Sequence, residues 1–469
     1  MMTFTSTIPT ELKSALDLAL FSPDAQVILP GDEAYDQARM AWNLSVDQYP
    51  ALVVYATCAQ DVAEALRVAR SASLSVAAPG TGHGVIRKAD GGLLLDTSRL
   101  AGVRVDAARR TAYIGAGTRW GAVLEQAQQV GLAPLLGSSP DVGAIGYTLG
   151  GGMGWLARKY GLSTDSVNYF DLVTAAGEQV RVGATQNPDL FWGLRGGGGN
   201  FGVVTGMEIR LYPVSTVYAG NLYYPLSSAK EIFARFRAWS AGAPEELTSS
   251  FVILNIPPLP DIPEFMRGQS FAMIRGCYCG PVEEGEALLR YWRDWQTPIV
   301  DDFKARPFTH AAEISNDPVD PIPTLSSGMW LADLDDEVAE TLLRYTAPQG
   351  GPPLLMFAEV RHAGGAIARV DPSEAAFSHR DARYSAQVAA AVPTPEIFSA
   401  VTRHVALLKQ DLGPHLHGGV YMNFLEGEEA RERTRQGFSP EAFARLQALK
   451  TRYDPENIFS HSFAIPPAR

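Results

Sequence analysis

Glycine in this 469-residue chain is concentrated in three stretches, Gly80 to Gly84, Gly143 to Gly154 and Gly193 to Gly202. Glycine is needed where the backbone takes a positive φ or must approach another group too closely for a Cβ. In such turns successive backbone N–H groups form nests that hold phosphate oxygens without a basic side chain. One stretch alone would be satisfied by a flexible turn. Three of them, with histidine and aromatic neighbours, point to a large anionic cofactor carrying a pyrophosphate. The run Gly197-Gly198-Gly199-Asn200-Phe201-Gly202 matches G-x-G-x-x-G formally. The residues after it, Val203-Val204-Thr205, read as a strand, and Leu222 stands where an acidic ribose ligand belongs. The motif requires a helix and an acid at those places, so a Rossmann site fails its own test.

Around the glycines, short apolar runs alternate with helical stripes. Ala51 to Ala56 reads as a buried strand and Asp61 to Ser71 as a helix with Val62, Ala65, Leu66 and Ala69 on one face. Ser75 to Ala78 is a short strand leading into Pro79; Leu93 to Asp96 and Thr111 to Ile114 are further strands, and Trp120 to Val130 is a helix. This alternation predicts α+β layers with mixed strand pairing. After Pro213 glycine thins out and proline-rich loops appear at Pro257 to Pro263 and Pro318 to Pro323, marking a second unit from about Val217 to Leu408. Phe438 to Lys450 is an amphipathic helix, followed by a turn at Tyr453 to Asn457. A chain of this length is expected to divide into two or three units.

The formal net charge is -12 and no cluster of Lys and Arg occurs, which argues against a nucleic-acid partner. No stretch reaches the ~20 apolar residues needed to span a bilayer. Met1 to Ser22, carrying Glu11, Lys13 and Asp17, lacks the basic start and apolar run of a signal peptide, so a cytoplasmic location is expected. Cys58, Cys277 and Cys279 make neither a disulfide framework nor a zinc site. Cys277 and Cys279 read as buried, inert thiols, and no metal is expected.

Four motifs together resemble the berberine bridge enzyme-like family of FAD-linked oxidases, within the vanillyl-alcohol oxidase superfamily. They are Pro79-Gly80-Thr81-Gly82-His83-Gly84; Gly137-Ser138-Ser139-Pro140-Asp141-Val142-Gly143 running through Gly146 and Tyr147 to Gly150-Gly151-Gly152-Met153-Gly154; Asn187-Pro188-Asp189-Leu190-Phe191-Trp192 through Gly202-Val203-Val204-Thr205; and Tyr421-Met422-Asn423 with Tyr453 to Phe459. The resemblance implies an α+β fold. A two-subdomain FAD-binding domain over 1–215 is followed by a substrate domain over 216–419, with an antiparallel sheet covered by helices. A C-terminal segment, 420–469, returns to the FAD domain. It implies FAD contacts from these motifs, from Trp155 and from Asn457.

By the same resemblance, His83 bonds covalently to the flavin 8α-methyl. Bicovalent members add a cysteine where this chain has Ser139, so a single link is expected. Tyr147 replaces a histidine that many relatives carry near the flavin pyrimidine edge. Val142 is small where the family borders the flavin C4a, which favours oxygen as electron acceptor and hydrogen peroxide as product. Tyr421 is the expected base, with Asn423 beside the ring; two apart in a strand-like segment, they share a face. A free tyrosine has a pKa of about 10, so it needs help to act as a base. Arg361 is a possible cation for this, although Glu359 and Arg361 read more simply as an ion pair. Trp192 and Phe201 are expected to pack, and His415 and His417 share a face just before Tyr421.

The expected substrate is a small molecule: an alcohol, a hydroxylated ring or an amine-bearing metabolite. Sugars are the rival class, favoured by an open aromatic groove formed by Tyr223, Tyr224 or Tyr278. A dehydrogenase with another acceptor, and a flavin-binding scaffold without turnover, are the readings from other classes.

Overall fold

The computed structural model describes residues 9–468, so the signal-peptide reading of the chain start lies partly outside it. Three sheets organise the chain. The first, in spatial order, is Gln26–Ile28, Leu52–Tyr55, Leu93–Asp96 and Val76–Ala77, parallel except for its first pair. Parallel neighbours need a crossover. Helix Ala59–Ser71 supplies it, burying Val62, Leu66 and Ala69 with Leu52, Val54 and Leu93.

The second sheet is antiparallel, ordered Val103–Asp106, Thr111–Gly115, Gly202–Arg210, Val167–Thr174 and Gln179–Gly183. Val203 to Thr205 lie in a strand, as the alternation required. Trp120, Val123 and Leu124 of helix Trp120–Gln128 pack into the same core as Phe170, Met207 and Ile209.

The third sheet has eight strands drawn from residues 216–391, all paired antiparallel. Successive side chains of a strand point to opposite faces. One face is apolar (Leu222, Phe251, Ile274, Val360, Ala386) and is covered by helices Ala229–Ala241, Val282–Arg293, Asp336–Thr346 and Pro395–Asp411. Asn221, Ser250, Arg275, Glu359 and Gln387 alternate with these residues and line the other face. This parity decides where the three tyrosines of the rival sugar reading fall. Tyr224 and Tyr278 fall on the helix-covered face and are 0% and 3% exposed in its core. Tyr223 alone takes the other face, edge-on to Phe271 at 5.7 Å.

The C-terminal helix runs Pro440–Tyr453, two residues later at its start than expected. Ser439 caps it by accepting from the Ala442 N–H, and Pro440 suits the first turn. Near its end the buried Lys450 Nζ donates to Asp454 at 2.7 Å, to the Asn200 carbonyl at 3.0 Å and to the Phe459 carbonyl at 3.2 Å. Asp454 in turn accepts from the Ile458 and Phe459 N–H groups. One ammonium thus ties the third glycine stretch to the chain terminus. Among the described residues no helix is long and apolar enough to cross a membrane.

Removing one partner of a buried, hydrogen-bonded ion pair typically costs about 3–5 kcal/mol. Lys450→Met is therefore expected to lower the unfolding free energy by about that amount in urea titrations, while the exposed Lys13→Met changes it little. A loss below about 1 kcal/mol would show that the terminal turn does not depend on this ammonium.

Candidate functional site

Strand Val76–Ala77 delivers the chain into Pro79 to Gly84. A cleft of about 170 Å³ is lined there by Pro79, Gly80, Thr81, Gly82, Asp96 and Arg119. Gly82, at φ +74, lies against the backbone of Ala41 and Trp42, where a Cβ would come within 2.9 Å of the Trp42 nitrogen. At Gly80, Gly84 and Gly146 a Cβ would meet nothing within 4 Å. Protein packing does not explain those three, and bare backbone beside open space is what a cofactor needs.

Thr81 joins the first two glycine stretches. Its Oγ1 lies 2.7 Å from His83 Nδ1 and accepts from the Gly143 N–H at 3.2 Å. The His83 ring stacks on Trp42 at 4.4 Å, and its Nε2 is buried without a partner. Burial above all, helped by Arg119 and opposed by Asp141, pulls the His83 pKa down to about 4. His83 is therefore a neutral imidazole at pH 7, with one ring nitrogen left free.

The loop Gly137 to Gly143, with Ser138 and Ser139, is fixed to the start of helix Trp120–Gln128. The Trp120 N–H donates to the Val142 carbonyl at 3.1 Å, and Arg119 pairs with Asp141 at 3.2 Å. Tyr147, on helix Ala144–Leu149, packs its ring edge-on to Trp120 at 5.8 Å and fills the space that Cβ atoms at Gly137 and Gly152 would need. Its hydroxyl is buried and unpartnered, and burial raises its pKa well above the ordinary value.

Tyr421 and Asn423 were expected in a strand. Instead Met422–Phe424 is a turn of 3-10 helix, closed by the Phe424 N–H bonding the Tyr421 carbonyl at 3.1 Å. The two side chains meet all the same. Asn423 Nδ2 donates to Tyr421 Oη at 3.2 Å and to the Tyr147 carbonyl at 2.9 Å. The Gly152 and Met153 N–H groups also donate to Tyr421 Oη, at 3.2 and 3.0 Å. Burial raises the Tyr421 pKa; the three donors and nearby Arg361 pull against it.

Arg361 and Glu359 form the ion pair that their alternation allowed, at 2.9 Å, with Ser250 donating to Glu359 at 2.6 Å. The Arg361 guanidinium lies 5.0 Å from the Trp155 ring and 5.9 Å from that of Phe424, and its Nε is buried without a partner. The pair therefore lies on the polar face of the eight-stranded sheet and beside Trp155 and Phe424 at once.

Other expected residues serve packing. Val203 and Val204 enter separate apolar cores, and Asn457, at φ +54, forms the terminal turn. No hydrogen bond joins Asn457 to the cradle among the described residues. The third glycine stretch is also a packing device: Cβ atoms at Gly193, Gly197 and Gly198 would strike Leu449, Leu446 and Phe463. His415 pairs with Asp335 at 2.8 Å, and His417 with Asp381 at 3.1 Å, away from Tyr421. Cys277 and Cys279 are buried, and burial raises both thiol pKa values. Sequence reasoning missed Trp42 and Arg119, which lie outside every motif; only an aromatic and a cation in otherwise featureless segments could have drawn attention to them.

A glycine-lined cleft, a neutral histidine hydrogen-bonded to its Thr81 and a buried Tyr421 ringed by donors fit an FAD-binding oxidoreductase. An FAD binding domain model matches residues 50–183, and a Berberine and berberine like model matches 420–466. The FAD-linked oxidoreductase YgaK of Bacillus subtilis (strain 168) is 30% identical over 457 residues, covering 95% of this chain and 97% of its own. The (R)-6-hydroxynicotine oxidase of Paenarthrobacter nicotinovorans is 28% identical, with 95% and 97% covered. Crystalline 6-hydroxy-D-nicotine oxidase from Arthrobacter nicotinovorans superposes with a TM-score of 0.83 at 25% identity, covering 98% of this chain and all of that one. The chain belongs to the berberine bridge enzyme-like family of FAD-linked oxidoreductases.

Burial also holds His362 down to about 3; its Nε2 lies 2.8 Å from Arg158. A histidine whose folded pKa lies below the unfolded value of about 6.5 takes up a proton on unfolding. The stability it confers is complete above that pH and is lost as pH falls through the folded value. Unfolding free energy in urea is expected to decline from pH 6.5 to 4, and His362→Gln to flatten the decline. An unchanged slope in the variant would mean His362 is not held neutral.

Proposed function

We propose that the chain is an oxidase of a small hydroxylated or amine-bearing molecule, with Tyr421 as the base. The observation that carries this is the convergence of three donors on Tyr421 Oη beside the Arg361 guanidinium. When bound, FAD supplies a two-electron acceptor for the hydride leaving the substrate carbon. Tyr421, as phenolate, takes the substrate hydroxyl or amine proton onto Oη. The two backbone donors and Asn423 hold the charge it carries beforehand, and Arg361 adds a favourable field. His83 would hold the cofactor through a single covalent bond, since Ser139 offers no comparable nucleophile.

Residues 1–215 and 420–469 form the cofactor unit in this reading, and 216–419 the substrate unit. The polar sheet face of Asn221, Ser250, Arg275, Glu359 and Gln387 favours a substrate with several hydrogen-bonding groups. Burial of Tyr224 and Tyr278 removes two of the three rings that a sugar platform would have used. A hydroxylated ring is therefore preferred over an oligosaccharide. The small Val142 and the oxidase relatives support oxygen as the acceptor; rapid reoxidation in air distinguishes this from a dehydrogenase.

Because burial raises the Tyr421 pKa, the active phenolate becomes more abundant as pH rises through and beyond neutrality. With a 6-hydroxynicotine-like substrate, kcat/KM is expected to climb with pH. Tyr421→Phe should remove the climb and lower kcat/KM by about 10²–10⁴-fold, the usual contribution of a general base. A full-rate Tyr421→Phe enzyme would eliminate this assignment. Separately, acid precipitation of the yellow protein should leave one flavin mass on the chain, and His83→Ala should release it. Free flavin from the wild type would overturn the covalent link alone.

A further inference from the structure

A second cleft, of about 420 Å³, shares no residue with the cofactor cradle; it is lined by Arg109, Arg110, Lys159, Tyr160, Arg210 and Tyr212. Three elements build it. Arg109 and Arg110 turn the chain between strands Val103–Asp106 and Thr111–Gly115, Arg210 ends strand Gly202–Arg210, and Lys159 and Tyr160 close helix Ala157–Tyr160. Arg110 sits at φ +52, a left-handed conformation that costs a residue with a Cβ, and the Leu211 N–H holds it there through the Arg110 carbonyl at 2.7 Å.

The charges of this cleft are poorly matched. Arg109 reaches Glu208 only at 3.6 Å, and Lys159 reaches Glu246 at the same distance. Among the described residues, neither Arg110 nor Arg210 has a carboxylate within 4.0 Å. Arg210 donates to the Asp165 carbonyl, but the Asp165 carboxylate is taken by Arg380 at 2.7 and 3.0 Å. Two unmatched guanidiniums on one small concave surface are unexpected in a chain of net charge -12. Beside them, the Tyr160 and Tyr212 rings pack at 4.3 Å into an aromatic wall, with Lys159 Nζ 5.5 Å from the Tyr160 centroid.

We propose that this cleft binds a phosphorylated small molecule of mononucleotide size. Arg110 and Arg210 present the planar donor forks that suit phosphate oxygens. The tyrosine wall suits a planar ring, and the volume lies in the range of about 300–1,000 Å³ typical of small-molecule sites. Four cations confined to one cleft are too few and too local to track a nucleic-acid backbone.

The test is calorimetric titration of adenosine monophosphate into the FAD-loaded protein, so that the cofactor cradle is already filled, in phosphate-free buffer at fixed ionic strength. One saturable equivalent is expected, displaced by inorganic phosphate. Binding should weaken tenfold or more in Arg110→Ala/Arg210→Ala, and again in Lys159→Gln should the double variant fold poorly. Arg403→Ala, the loss of one cation on the exposed helix Pro395–Asp411, should bind as wild type does. Absence of saturable binding would overturn the proposal. So would equal weakening in Arg403→Ala, which would reduce the effect to overall charge.

Discussion

The centre of this molecule depends on how closely Tyr421 and Asn423 approach the bare backbone of Gly150 to Gly152. A Cβ at Gly150 would stand 1.8 Å from Asn423 Oδ1, one at Gly151 2.5 Å from the Phe377 ring, and one at Gly152 2.5 Å from the Tyr147 ring. Each glycine is therefore set by a side chain from a different part of the chain. Gly151 and Gly152 also have φ of +112 and +82, which L side chains rarely adopt. Without this approach Tyr421 could not reach the Gly152 and Met153 N–H groups, nor Asn423 the Tyr147 carbonyl. The C-terminal segment is thus built into the same set of contacts as the second glycine stretch.

Buried ions hold the remaining segments to this centre. Arg158 donates to the Leu247 carbonyl at 2.8 Å and lies 2.8 Å from His362 Nε2, fastening a helix beside the glycine turn to two strands of the eight-stranded sheet. Arg380 grips Asp165, and Lys450 grips Asp454, both pairs almost wholly buried. Such pairs add little net stability compared with apolar packing, since desolvation offsets much of their attraction. They do penalise any arrangement in which a partner is missing. Arg380–Asp165 joins distant segments directly, and Lys450 does so through the Asn200 carbonyl, so these ions act on how the parts are mutually positioned more than on how tightly each part folds.

The secondary structure around the glycines was largely legible because its determinants are local. Leu93–Asp96 appeared as read, and Val203 to Thr205 formed the strand that excluded a Rossmann turn. The purpose of the glycines was less legible. Gly80, Gly84 and Gly146 leave room, whereas Gly193, Gly197 and Gly198 give way to Leu449, Leu446 and Phe463, residues some 250 positions away. Composition shows that a Cβ is absent but not what occupies the space. Tyr223 and Tyr224 show the same limit: adjacent aromatics in a strand must face opposite ways, and only the register with its neighbours decides which one meets the helices. Trp42 stacks on His83 from a segment with no periodicity at all, so no pattern could have announced it.

The environment of Tyr421 combines two opposing influences on a single oxygen. Burial penalises the phenolate; the Gly152 and Met153 N–H groups, the Asn423 amide and the Arg361 guanidinium favour it. In water such donors would have to reorient as charge develops. Here two of them are main-chain N–H groups in a glycine turn locked by Phe377 and Tyr147, and the third is held by the Tyr147 carbonyl. Their orientation is set by folding, so stabilising a charge on Oη requires little further reorganisation. The same packing that forbids side chains at Gly150 to Gly152 therefore preorganises the donors. Steric constraint and electrostatic function arise from one set of contacts, and a residue with a Cβ in that turn would disturb both.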